Sequence, residues 1–145
     1  MSETVRIEPA SWQREAEREA MIAIRHEVFV GEQRVPIEIE LDGVDPACRH
    51  LLAFDAEGRA IGTARMTSTG HIGRIAVVAS WRKRGVGARL VETMIELARE
   101  TGLASVDLDS QVHAVGFYEK LGFQSRGDEF MEAGIPHQNM ARRLG

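Results

Sequence analysis

The residues best suited to chemistry lie between Ile72 and Leu90. There a basic turn, with Arg82, Lys83, Arg84, Gly85, Val86, Gly87 and Ala88, leads from an apolar, strand-like run into a helical pattern. Free N–H groups at a helix start, aided by the helix dipole, form an anion site. Gly85 and Gly87 lack Cβ, so a phosphate can approach the backbone there. Arg82, Lys83 and Arg84 add positive charge, as does Arg89. On a chain of net charge -4, such a cluster points to a particular phosphorylated ligand more than to a nucleic-acid face. A P-loop is excluded, because no Lys-Ser or Lys-Thr pair stands in the required place. The dinucleotide fingerprint fits better, since Gly85-x-Gly87 precedes an acid, Asp107, about 20 residues on. Its third glycine is replaced by Leu90, and residues 79–84 lengthen a turn that should be tight. A helix-start turn with no ligand is the third reading.

Such a loop needs a strand before it and a helix after it, and the sequence predicts both. Residues 72–78 read as a strand buried on both faces. Residues 86–101 read as a helix with Val86, Leu90, Val91, Met94, Ile95, Leu97 and Ala98 on its apolar side and Gly102 behind it. Upstream, a short strand at 5–7 ends at Pro9. A helix follows from an N-cap at Ser11, with Trp12, Ala16, Ala20, Ile24 and Val28 at four-residue steps, fading near Gly31. An irregular acidic stretch, 38–45, precedes two strands at 51–54 and 60–66 joined by a turn at 55–58. Downstream come a strand at 106–109 and a short helix carrying Ala114, Phe117, Tyr118 and Leu121, stopped by Gly122. Strand-like pieces at 123–131 and 138–144 flank a turn at 132–136. The order β-α-β-β-β-α-β-α-β-β is an α/β sheet of mixed strand direction.

At 145 residues, without repeats or a linker, one domain is expected over 1–145. No window approaches the roughly 20 apolar residues of a membrane span. Met1 to Thr4 include an acid and no apolar core, unlike a secretory signal. The lone Cys48 suits a reducing, cytoplasmic setting. No zinc spacing and no G-x-S-x-G elbow is present. Residues 38–49 imitate a calcium loop but carry Glu38 first, Pro46 ninth and Arg49 twelfth, so no metal is expected.

Two motifs carry a resemblance. Arg82-x-x-Gly85-x-Gly87 matches the Q/R-x-x-G-x-G/A loop of the GNAT N-acetyltransferase superfamily, after a strand of the right kind at 74–78. Ala114, Phe117, Tyr118, Lys120, Gly122 and Phe123 stand as in its A-x-x-F-Y-x-K-x-G-F signature. Arg25, Val28, Phe29, Glu32, Gln33, Val35 and Pro36, then Glu40, Asp42, Asp45 and His50, and later Gly134 to His137, resemble the ElaA-like bacterial subgroup. The likeness covers about residues 20–143. Val28-Phe29-Val30 with Glu32 is also similar to the longer acyl-homoserine-lactone synthases.

The resemblance implies a GNAT fold: a mixed sheet of about six to seven strands with flanking helices, splayed between the fourth and fifth. It implies transfer of an acetyl group from acetyl-CoA, the acyl-donor substrate, to a primary amine by direct attack. The pantetheine arm would lie along Ile75, Ala76 and Val77, an N–H near Val77 facing the thioester oxygen. The pyrophosphate would rest on Arg82 to Ala88. Tyr118 would protonate the leaving thiolate, or serve in packing. Gln111 replaces an Asn common in the superfamily and would still contact the cofactor side. The base is left open among His71, His50, His137, Glu40, Asp42 and water. The acidic stretch is either a solvated loop or a pocket for a cationic amine. The acceptor is a small molecule or a peptide amine, no nucleic acid or membrane partner is implied, and exposed strand edges leave room for a homodimer. A catalytically weak acyl-CoA sensor is the alternative.

Overall fold

The computed structural model describes residues 4–145; Met1 to Glu3, on which the leader reading partly rests, lie outside it. Eight strands run β1 (Arg6–Ala10), β2 (Arg49–Phe54), β3 (Ala60–Met66), β4 (His71–Val77), β5 (Ser105–Gln111), β6 (Gln124–Ser125), β7 (Phe130–Glu132) and β8 (Ile135–Arg143). They form one sheet in the order β1-β2-β3-β4-β5-β8-β6, with β7 on β8. Every pairing is antiparallel except β4 with β5. The additional strands come from the C-terminal hairpin, where the expected long piece after Phe123 divides into β6 and β7.

Helices cover both faces. α3 (Val86–Glu100) packs Val86, Leu90, Val91, Met94, Ile95 and Ala98 on one side, against Leu51, Ala64, Ile72 and Leu108. α1 (Glu15–Arg25) covers the other, where Met21, Ile24 and Val28 meet Leu52 and Ala76. The alternation of Leu51 and Leu52 between the two cores is the period of a strand. Gly62 brings α3 close, because a Cβ there would stand 3.2 Å from Leu90 Cδ1 and 3.3 Å from Val86 Cγ1.

α1 differs from its expected start and face. Ser11 does not cap it; Ser11 Oγ accepts from Gln13 N in a turn one step earlier, and the helix begins at Glu15. Its buried stripe is Met21, Ile24, Arg25 and Val28, while Ala16 is exposed. Strict four-residue steps drift about 40° each around a helix of 3.6 residues per turn, so they leave the core. The helical segment does end near Gly31, but its last stretch, His26–Glu32, is a π-helical turn rather than α-helix. Pro9 likewise lies inside β1, tolerable on an edge strand. The acidic stretch is partly ordered, as α2 (Ile37–Glu40) and a 3₁₀ turn, Asp45–Ala47.

What positions the site is the break between β4 and β5. Their pairing consists of His71 with Asp107 and Ile72 with Leu108. Opposite β3, Thr63 pairs with Ala76 and Arg65 with Gly73, so Arg74 and Ile75 together face Ala64. Arg74 takes the left-handed conformation, φ 49°. Such a bulge bends its strand and increases local twist, which turns β4 away from β5. The strand is therefore not buried on both faces as expected: Ile72 and Ala76 are buried, and the remainder is partly open.

Candidate active site

Between the diverging strands lies a cavity of about 310 Å³, walled by Ile72 to Ile75 of β4 and Leu108 to Gln111 of β5. The π turn contributes Phe29 and α4 (Val115–Lys120) contributes Tyr118; the C-terminal hairpin adds Glu132, Ile135 and His137. Gln33, from just after the π turn, accepts a 2.9 Å bond from Gln111 Nε2 across this space.

The glycine loop stands beyond the far end of β4. Lys83 and Gly85 both adopt positive φ, 62° and 81°, and Gly85 is the residue before α3. Val86, Gly87 and Ala88 thus carry the first N–H groups of a 15-residue helix. A Cβ on Gly87 would meet Phe117 Cζ at 3.7 Å and Val77 Cγ2 at 4.0 Å, so this glycine faces the groove between α3, β4 and α4. Arg82 turns inward: Nε donates to the Val77 carbonyl at 3.0 Å and the guanidinium pairs with Glu32 at 2.7 Å. Val78 N donates to the Ile61 carbonyl, so at Val77, paired with Gly62, the carbonyl points away from β3. Arg84 lies over the Trp81 ring.

Tyr118 packs edge-on against Phe117 and Phe123, and burial pushes its phenol up to about 12. Its hydroxyl has no hydrogen-bond partner among the described residues. Packing and an available O–H therefore coexist in one side chain.

The acidic stretch is largely exposed along its backbone, yet three of its four acids, Glu40, Asp42 and Asp45, are ion-paired rather than merely solvated. Arg25 grips Glu40 (Nε to Oε1 and Nη2 to Oε2, both 2.8 Å) and Asp45 (Nη1 to Oδ1, 2.7 Å). Arg65 bonds Asp42 and Asp45, and Arg74 bonds Glu40 and Asp42. Glu40 and Asp45 are 4% and 2% exposed, so an unpaired charge there would be prohibitive. The bonds from Arg65 hold Asp42 down at about 2. Burial opposes the Asp45 charge, yet Arg25 and Arg65 keep its carboxyl below the usual range. Glu40 lines the cavity, but its carboxylate is committed; Asp42 sits behind it, outside the lining. Among the described residues no group of three or more His, Cys, Asp or Glu is placed to hold a metal.

The three histidines separate. His50 lines a different, shallow cleft, stacks on Trp12 and donates Nε2–H to the Asp45 carbonyl at 2.8 Å; burial lowers its pKa. His71 and His137 both line the main cavity. The sequence reading passed over Gln33 as a site residue, as well as Glu132 and the arginine partners of the acids. Arg25 did carry a signal, a lone charge within the buried stripe of α1; the others acquire meaning only through long-range contacts.

A sheet opened between one parallel pair, with a basic glycine loop at the end of the opening, defines the class. The family model for the GNAT acetyltransferase domain matches residues 42–144, and the chain belongs to that family. A Bacillus subtilis (strain 168) protein assigned provisionally as an acetyltransferase is 40% identical over 126 residues, 83% of this chain and 85% of its own length. Among solved structures, Escherichia coli ElaA superposes with TM-score 0.86 at 26% identity, covering 97% of this chain and 100% of that one. An acyl-CoA N-acyltransferase from Pseudomonas aeruginosa gives TM-score 0.85 at 28% identity, covering 96% and 99%. The similarity to the ElaA-like subgroup thus holds in three dimensions.

Proposed function

We propose that this protein moves an acetyl group from acetyl-CoA to a primary amine while both substrates are bound. The observation that carries the reading is the opened β4–β5 gap, with the α3 N-terminus beyond one end and Tyr118 in its wall. Ile75, Ala76 and Val77 offer a strand edge for an amide-bearing arm, and Gln111 faces it from β5. The N–H groups of Val86, Gly87 and Ala88, with the positive-φ turn before them, suit a pyrophosphate. Lys83 adds charge from the same turn. When bound, acetyl-CoA would supply an activated acyl carbon. A β4 N–H near Val77 would stabilise the oxyanion formed as the amine adds.

Tyr118 donates its hydrogen bond to the departing sulfur. A phenol at about 12 is a weaker acid than an ordinary thiol, near 8.5, so complete proton transfer would be uphill by about 5 kcal/mol. Its contribution is to stabilise developing thiolate charge within the cavity, with the final proton arriving from water. Cys48 lies outside the main cavity and burial raises its thiol pKa, so a covalent acyl-cysteine route is not part of the proposal.

Thiol release from acetyl-CoA, measured against a panel of primary amines, tests this. Amine-dependent release with formation of the acetylamide supports it. Binding of acetyl-CoA without turnover on any amine would instead make the chain an acyl-CoA sensor.

A further inference from the structure

Resting on the transferase reading, we propose that His137 takes the proton from the acceptor's ammonium group, and that Glu132 holds the incoming cation beside it.

His137 Nδ1 lies 2.7 Å from the Ile135 carbonyl. A carbonyl only accepts, so Nδ1 carries the hydrogen and the neutral ring keeps its lone pair at Nε2. Nε2 has no hydrogen bond among the described residues; Glu132 Oε2, at 3.9 Å, is an ionic neighbour beyond bonding distance. The ring is fixed by stacking on Phe130, with centroids 5.8 Å apart, and the residue is 8% exposed. His137 pairs directly with Gln111 across β5 and β8, and directly opposed residues share a face. This places the histidine beside the strand position expected to meet the acyl donor.

The base candidates proposed from the sequence, His137 apart, are occupied, and His113, which also lines the cavity, is a solvent-exposed residue of the turn before α4. His71 has Asp107 at 3.1 Å from Nδ1 and Asp109 at 3.5 Å from Nε2, so both of its ring nitrogens face carboxylates of β5. Those carboxylates are themselves held by Arg126 and Asn139. Glu40 is bound by Arg25 and Arg74. Glu132 is different: its side chain is half exposed, and among the described residues it pairs with no Lys or Arg. It can therefore attract a cation to the cavity mouth.

The step balances simply. One N–H bond of the R–NH3+ group breaks, its electron pair staying on the amine nitrogen, and a new N–H bond forms at His137 Nε2. The free amine can then attack. The imidazolium, neutralised by Glu132, later returns the proton to water.

The test is a steady-state comparison of His137→Asn and Glu132→Gln with the parent, using the best amine found in the panel. Asn can still donate to the Ile135 carbonyl from its amide but offers no base. For His137→Asn the expected result is a fall in kcat of about 10²-fold or more, with acetyl-CoA KM within about twofold. The acidic limb of kcat/KM against pH should also vanish. Other titratable groups around the ring's cavity are Glu40, Arg74, His71, Asp109, His113 and Tyr118, so loss of the limb in this variant assigns it to His137. Glu132→Gln should raise the amine KM several-fold and flatten its dependence on salt. Persistence of the parent's pH limb, or kcat within about threefold in His137→Asn, would overturn the proposal. So would a parallel loss of acetyl-CoA binding, which would make the residue structural. Absence of turnover in the parent itself would instead refute the transferase reading on which it rests.

Discussion

Tyr118 stays protonated across the working pH range because burial lifts its phenol to about 12, and no group among the described residues takes its hydrogen bond. We therefore expect Tyr118→Phe to keep acetyl-CoA affinity, since the packing against Phe117 and Phe123 survives. Turnover should fall by about 10²- to 10³-fold, the loss of one donor to developing charge. A rate within twofold of the parent would reduce the residue to packing, and steady-state kinetics with calorimetric affinity decides it. The position was legible in the sequence, through its place in a short signature on one helix. The state of Glu40 and Asp42 was not. Nothing local to residues 38–45 announces that Arg25, Arg65 and Arg74, distant in sequence, converge on them. A pocket built from free acids at this stretch was a reasonable expectation, and tertiary ion pairing removes it.

At the scale of elements, the glycine loop and α3 were readable because their signals are local: the paired glycines 85 and 87 among basic residues, the apolar periodicity behind them, and Gly102 after the last turn. Gly87 permits a sharper expectation. A Cβ there makes ordinary contact with Phe117 and Val77, so Gly87→Ala should bind acetyl-CoA within a few-fold of the parent. Gly87→Glu should lose binding by at least about 10²-fold, through steric filling of the groove and repulsion of phosphate, without loss of folding. Titration calorimetry beside circular dichroism checks both; undiminished binding by the Glu variant would remove this loop from the site. The bulge at Arg74 was beyond reach of sequence pattern. It exists in the register between β3 and β4, and an arginine is an uncommon residue for φ 49°. The strand's apolar run suggested burial on both faces, whereas the bulge opens one edge and so creates the cavity.

Across the whole molecule, the six-membered charge cluster ties α1 and the α2 segment to β3 and β4, so the wall of the cavity is held by electrostatics as well as by packing. Asp42 titrates at about 2 in the fold and near 3.9 when unfolded. A depressed carboxyl pKa stabilises the fold above the unfolded value, and that contribution is lost as pH falls through the folded value. Asp45 shifts in the same direction. His50, whose pKa is lowered by burial, adds a loss that begins near pH 6.5, since the unfolded state then binds the extra proton. Stability should therefore decline on acidification from about pH 6.5 and more steeply between about 4 and 2, Asp42 accounting for about 1–2 kcal/mol. In Asp42→Asn, denaturant unfolding at a series of pH values should show a shallower decline over the lower interval; an unchanged slope would contradict the account of the cluster. The function of the molecule turns on the ligand that fills the β4–β5 gap. Titration calorimetry with acetyl-CoA, CoA and NADH in parallel tests this most directly. Micromolar binding of acetyl-CoA and CoA, with none for NADH, is the predicted result. Binding of NADH instead, or of none of the three, would contradict the assignment of the β4–β5 gap and the glycine loop to an acyl-CoA donor.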